Sequence, residues 1–104
     1  MITVDYDDKK LLLRAGGHAG QAPLGQDIVC AAVSTLMDAL EWNLLLAEEE
    51  GDALGATVRQ GAGFKEILCG ERTVATALYY RFALEGLRLL AREAPDYVQV
   101  INIG

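Results

Sequence analysis

Apolar and polar residues alternate at the start of the chain. Ile2, Val4 and Tyr6 are each followed by a polar residue, which is the period-two pattern of a strand with one face in water. Residues 7–10 are all charged and predict a turn, and residues 11–16 are rich in leucine and predict a returning strand. The chain therefore begins with a predicted β-hairpin.

Two longer segments carry apolar residues at helical spacing. The first covers residues 27–50, and Asp27 is a good N-cap because its carboxylate can accept the unpaired N–H groups of a first turn. The second covers residues 73–94, with Thr73 as the cap and Pro95 as the stop. Both segments are predicted to be amphipathic helices.

The remaining apolar segments predict three more strands. Residues 54–60 and 64–69 form a second hairpin around the glycine-rich turn at 61–63, and residues 97–103 form a last strand, apolar enough to lie near the centre of a sheet. The resulting order is β-β-α-β-β-α-β. It predicts an α+β fold over residues 1–104: a two-layer single domain with two helices packed on one mainly antiparallel sheet of about five strands.

Composition adds expectations about partners. Hydrophobic residues make up 52% of the 104 residues, a surplus that suggests apolar surface for a second copy, so we expect a homodimer. Nine basic and fifteen acidic residues give a net charge of −6, which argues against direct nucleic-acid binding and suits a basic protein substrate. The same charge would also simply keep a small, apolar-rich protein soluble.

The chain lacks an uninterrupted apolar run near the length of a membrane span, and its first residues lack the basic start and apolar stretch of a signal peptide. We therefore expect a cytoplasmic protein without a membrane segment, whose two cysteines are free thiols. Cys69 follows an apolar residue and is expected to be structural. One histidine and two separated cysteines give no recognisable metal site, and no phosphate-binding glycine loop is present, so no cofactor is expected.

The candidate chemistry lies in residues 17–34, which hold the only histidine, His18, and Cys30. In a helix that begins at Asp27, Cys30 is the third helical residue, where the helix dipole favours a thiolate. The glycine-rich loop 16–25 allows His18 to approach Cys30 and exchange a proton with it, as in cysteine acyl-transfer enzymes. Ser34 lies one turn further along the same face. Asp27 has two candidate roles, as helix cap or as the group that orients His18.

The same stretch resembles the ribosomal-processing cysteine proteases, the Prp family. That family's pattern is Gly-His-Ala, a short loop, Gly-x-Asp and then a Cys-Ala-Ala-Val-Ser helix start, which this chain matches at residues 17–19, 25–27 and 30–34. Chain length and element order fit as well, so the resemblance covers the whole chain. Family members often carry aromatic residues in the loop where this chain has Gln21 and Leu24.

The resemblance implies a cysteine endopeptidase that removes the N-terminal extension of the large-subunit ribosomal protein twenty-seven. Cys30 would attack the scissile carbonyl, backbone N–H groups of the first helical turn would stabilise the oxyanion, and His18 would protonate the leaving amine. Independently of the resemblance, the glycine-rich loop suggests that it closes over an extended substrate peptide and aligns His18 only when the correct sequence is bound. The loop residues expected to serve this closure are Gly17, Gly20 and Gly25.

Two other functions remain open from the residues alone. One is a non-catalytic, ribosome-associated binding module in which Cys30 is buried packing. The other is a thiol-redox protein that uses Cys30 and Cys69, which the absence of a Cys-x-x-Cys spacing disfavours.

Overall fold

A computed structural model describes residues 1–17, 24–52 and 54–104 of the chain, without the side chains of residues 24–27. The observed order of elements is the predicted one, so the α+β fold class is confirmed. The elements are β1 (Ile2–Asp7), β2 (Leu12–Gly16), α1 (Leu24–Glu49), β3 (Thr57–Gly61), β4 (Phe64–Leu68), α2 (Val74–Glu93) and β5 (Val98–Asn102).

The five strands form one sheet in the order β3-β4-β2-β1-β5. Neighbouring strands are antiparallel except for β1 and β5, which run parallel. The prediction that the last strand lies near the centre of the sheet is wrong, because β2 already occupies one side of β1 and β5 adds to the other. Consistent with an edge position, Ile101 is 41% exposed.

Both helices cover one face of the sheet. The alternating residues of β1 point into this layer, and Val4 and Leu13 are fully buried. The helices contribute the other half of the core, which includes Val33, Met37, Leu40, Leu44, Tyr80, Leu84 and Leu87. The opposite face carries ion pairs such as Arg14–Asp5 at 2.8 Å, as expected for a sheet surface in water.

Helix α1 begins at Leu24, three residues before the predicted start. The preceding residue in sequence is Pro23, and a proline is well suited to a helix start because the first N–H groups have no partner within the helix. Asp27 is therefore the fourth helical residue, so its predicted position as N-cap is wrong, and its side chain lies outside the described residues. Cys30 becomes the seventh helical residue rather than the third.

The start of α2 agrees with the prediction. Thr73 is the N-cap, and its Oγ1 accepts a hydrogen bond from the backbone N–H of Thr76 at 3.0 Å. The Thr73 N–H in turn donates to Thr76 Oγ1 at 2.8 Å, which completes a capping box.

Part of α1, Ile28–Glu49, has the length and the mean hydropathy (22 residues, 1.4) of a helix that could cross a membrane. The core helix of a soluble protein meets the same criteria. Here Val33, Met37 and Leu40 pack against the sheet. The polar residues Asp38 and Glu41 pair with a lysine of β4.

Candidate active site

A cavity of about 630 Å³ lies between α1 and the β3–β4 hairpin. One wall is a row of α1 side chains spaced one turn apart, Cys30, Ser34 and Asp38. Val33 and Met37 of α1 also line the cavity. The hairpin, the start of β1 and the end of β2 supply the rest of the lining, which includes Ile2, Ala15, Gly16, Gly17, Gln60, Gly61, Gly63, Phe64 and Lys65. Its size is typical of a ligand site.

Cys30 is a free, half-buried thiol on this wall. Because α1 begins at Leu24, Cys30 lies in the second helical turn, and the effect of the helix dipole is concentrated in the first. The predicted contribution of the helix start to thiolate formation is therefore weakened. A neighbouring base is therefore more important than the helix dipole for activation of the Cys30 thiol.

Ser34 lies on the same wall, one turn beyond Cys30, and is exposed to the cavity. The structure thus brings together these two predicted site residues, as the helical spacing indicated. Of the predicted substrate loop, Gly17 lines the cavity, whereas Gly25 lies inside α1 and not in a loop. His18 and Gly20 lie outside the described residues.

Gly17 and Gly63 meet at the rim of the cavity, where the Gly17 N–H donates to the Gly63 carbonyl at 3.0 Å. A Cβ on Gly63 would lie 2.9 Å from the Gly17 carbonyl oxygen, and Gly63 has a φ of +79°. Only glycine therefore permits this contact. It fixes the point at which the chain leaves β2 towards His18, the next residue in sequence. Sequence reasoning assigned residues 61–63 only a turn and missed this contact.

A charged cluster occupies the far end of the same wall. Lys65 Nζ donates to Asp38 Oδ1 at 2.6 Å and to Glu41 Oε1 at 2.7 Å. Partial burial lowers the pKa of Lys65, but the hydrogen bonds and charges of the two carboxylates outweigh it, so the pKa of this lysine is raised. Sequence reasoning missed the cluster, because the lysine and its partners are 24 and 27 residues apart.

Cys69 is fully buried in the core and is not among the residues that line the cavity. Burial raises the pKa of its thiol to about 12, so it is protonated and unreactive at neutral pH. Its predicted structural role is confirmed. A redox pair with Cys30 is further disfavoured because Cys69 is fully buried, whereas Cys30 lines the cavity.

Known proteins were compared with both the sequence and the fold. The family model for cysteine protease Prp matches residues 1–99. No curated protein matched the sequence. Among solved structures, SMU.848 from Streptococcus mutans is 28% identical with a TM-score of 0.68, and the alignment covers 97% of this chain and 90% of that one.

Two structures of the essential ribosomal processing protease Prp from S. aureus share the fold. The complex with a substrate peptide is 20% identical with a TM-score of 0.77, and the complex with a covalently linked product peptide is 21% identical with a TM-score of 0.75. Each alignment covers 98% of this chain and 99% of the other. With a family model that matches nearly the whole chain and a cavity wall that carries a free cysteine, the protein belongs to the Prp family of cysteine proteases.

Proposed function

We propose that this protein is a ribosomal-processing endopeptidase that removes the N-terminal extension of the large-subunit ribosomal protein twenty-seven, with Cys30 as nucleophile and His18 as its proton-transfer partner. The observation that carries the proposal is the position of Cys30, whose thiol lines a peptide-sized cavity while the second cysteine is buried and inert. The S. aureus relative has been captured with a substrate peptide and with a covalently linked product peptide, as a processing protease requires.

In the proposed reaction, the Cys30 sulfur attacks the scissile carbonyl carbon as its proton passes to His18. The C–N bond then breaks, His18 protonates the departing amine, and a thioester to Cys30 remains. Water then hydrolyses the thioester: His18 accepts a proton from the water, the new C–O bond replaces the C–S bond, and His18 returns the proton to the Cys30 sulfur. Because Cys30 is in the second turn of α1, stabilisation of the oxyanion by first-turn N–H groups is disfavoured. Ser34, on the same wall, is the donor that we assign to the reacting carbonyl.

Asp27 and the glycine-rich loop have supporting roles in this proposal. Asp27 precedes the nucleophile by less than one helical turn and is assigned to the orientation of His18, since it does not cap the helix. The loop that contains Gly20 closes over the bound peptide from its fixed base at Gly17 and brings His18 to Cys30. No cofactor takes part in the reaction.

The test is incubation of the purified protein with the precursor form of the ribosomal protein from the same organism, followed by intact-mass measurement. We expect two products whose masses define one cleavage site near the N-terminus. An intact precursor that nevertheless binds the protein would contradict the protease proposal and support the non-catalytic binding module.

We further propose a homodimer that associates through the outer surface of the two helices, here called the helical face. Leu78, Phe82 and Leu89 form one stripe of α2 and are 57–79% exposed. Ile28 and Leu46 of α1 are five turns apart, so they point in the same outward direction. A second copy related by a twofold axis would cover the same residues on both subunits.

Sedimentation velocity tests the dimer. Phe82→Glu places a charge in the helical face and is expected to convert a dimer into a monomer. Ile103→Glu, at another exposed apolar position, is the control and should leave the dimer unchanged. A wild-type protein that is monomeric at micromolar concentration would contradict this proposal.

For the same processing role, we propose a cytoplasmic location and no direct contact with nucleic acid or membrane.

A further inference from the structure

The α1 wall of the cavity extends beyond the candidate nucleophile. Cys30 and Asp38 are eight residues apart on one face of the helix, which corresponds to about 12 Å along the axis. An extended peptide advances about 3.3 Å per residue. A peptide that runs along this wall with its scissile bond at Cys30 therefore places the residue three or four positions away beside Asp38.

The groups that a peptide contacts beside Asp38 depend on which side chains of the charged cluster are exposed. Lys65 is held by two carboxylates, those of Asp38 and Glu41, so the cluster has one negative charge in excess. The Lys65 side chain is only 16% exposed, whereas that of Asp38 is 64% exposed. Hydrogen-bond acceptors are thus presented to the cavity and the donor is largely covered.

A purely structural ion pair between helix and sheet needs only one of these carboxylates. Glu41 Oε1 lies 2.7 Å from Lys65 Nζ and already supplies a partner to the partly buried ammonium. Asp38 is the second carboxylate, and only it and Lys65 of this cluster line the cavity. A carboxylate can accept several hydrogen bonds, so Asp38 retains capacity for a ligand after it has bound Lys65.

We infer that Asp38 is a specificity-determining residue that selects a lysine or arginine side chain in the peptide substrate, three or four residues from the scissile bond. The inference rests on the proposed protease function and adds the chemistry of one substrate position to it. Since Asp38 is exposed, the selection is electrostatic and is weakened by salt.

The experiment uses the full chain and a set of synthetic peptides that span the cleavage junction of the precursor. Each peptide carries lysine, glutamine or glutamate at one position between two and five residues from the scissile bond, on either side. Wild-type protein is expected to show a kcat/KM about threefold to fivefold higher for lysine than for glutamine at one position three or four residues away, the range of an exposed ion pair. Glutamate at that position should lower kcat/KM below the glutamine value.

Asp38→Asn should reduce the lysine-to-glutamine ratio of kcat/KM to about one, mainly through a lower kcat/KM for the lysine peptide. Glu49→Gln removes one charge from the same helix away from the cavity and should preserve the ratio. Cys30-dependent cleavage without a lysine preference, or with a preference that Asp38→Asn retains, would overturn this inference alone. The absence of cleavage of every peptide would overturn the proposed function and the inference with it.

Discussion

Replacement of Cys30 by alanine is expected to abolish peptide cleavage and to leave the fold intact. The sulfur is the only group assigned to bond formation, and loss of a catalytic nucleophile typically lowers kcat by roughly 10⁴-fold or more. Cys30 is only half-buried and packs at the border of the core, so the shorter side chain costs little stability. Cleavage by mass spectrometry and thermal unfolding by circular dichroism, measured on the same preparation, separate the two effects.

Cys69→Ala is the matched control and should have the opposite outcome. This thiol is fully buried, so its removal leaves a cavity that costs roughly 1–2 kcal/mol of the free energy of unfolding. The variant should unfold at a lower temperature and yet retain cleavage while folded. A Cys30→Ala protein that cleaves at the wild-type rate would exclude Cys30 as the nucleophile.

Gly70→Ala is expected to produce the largest loss of stability of any single methyl addition described here. Gly70 has a φ of +76°, and its added Cβ would clash with the carbonyl oxygen of Leu54 and lie 2.5 Å from the carbonyl carbon of Gly55. The left-handed conformation alone costs an alanine about 1–2 kcal/mol. The clash is with backbone, which cannot move away as a flexible side chain can, so the total should reach about 3 kcal/mol or more, a large share of the roughly 5–15 kcal/mol of a typical domain.

Gly55→Ala is the control, because it shares the positive φ, +62°, but its added Cβ meets no atom within 4 Å among the described residues. Gly55→Ala should lower the free energy of unfolding only by the conformational cost of the positive φ. Urea unfolding followed by circular dichroism gives both free energies of unfolding. Equal losses for the two variants would show that the close approach of Gly70 to the Leu54 carbonyl does not limit stability.

The sequence is informative for several features that a local rule determines. The alternation of Ile2, Val4 and Tyr6 is sufficient to assign a strand and its buried face. Thr73 marked the start of α2, because a capping hydroxyl acts on residues only three positions away. The buried position of Cys69 followed from its apolar neighbour in the same way.

The predicted start of α1 and the predicted place of β5 in the sheet are wrong, because the first depends on weak local signals and the second on distant strands. Gly25 has a low helix propensity and Asp27 is a preferred N-cap residue, so the sequence pattern predicts a helix start three residues later than the observed one. The apolar content of β5 did not reveal its edge position, because that position depends on which side of β1 is unoccupied.

For the site, helical spacing was sufficient to place Ser34 beside Cys30 on one wall. The opposite wall could not be predicted. The β3–β4 hairpin reaches the cavity only through the register of β4 on β2, which pairs Phe64 with Gly16. The Lys65 cluster depends on the same register together with the packing of α1, and neither is encoded in a short sequence pattern.

The central claim is that Cys30 is activated by His18, and the most direct measurement is the rate of iodoacetamide labelling of each cysteine as a function of pH, followed by peptide mass mapping. Cys69 is an internal reference in every sample, because burial raises its thiol pKa to about 12 and blocks access. The proposed mechanism predicts that Cys30 is labelled much faster than Cys69 at neutral pH and that His18→Ala slows Cys30 alone. Labelling of Cys30 that is no faster than that of Cys69 and indifferent to His18→Ala would contradict an activated cysteine–histidine pair.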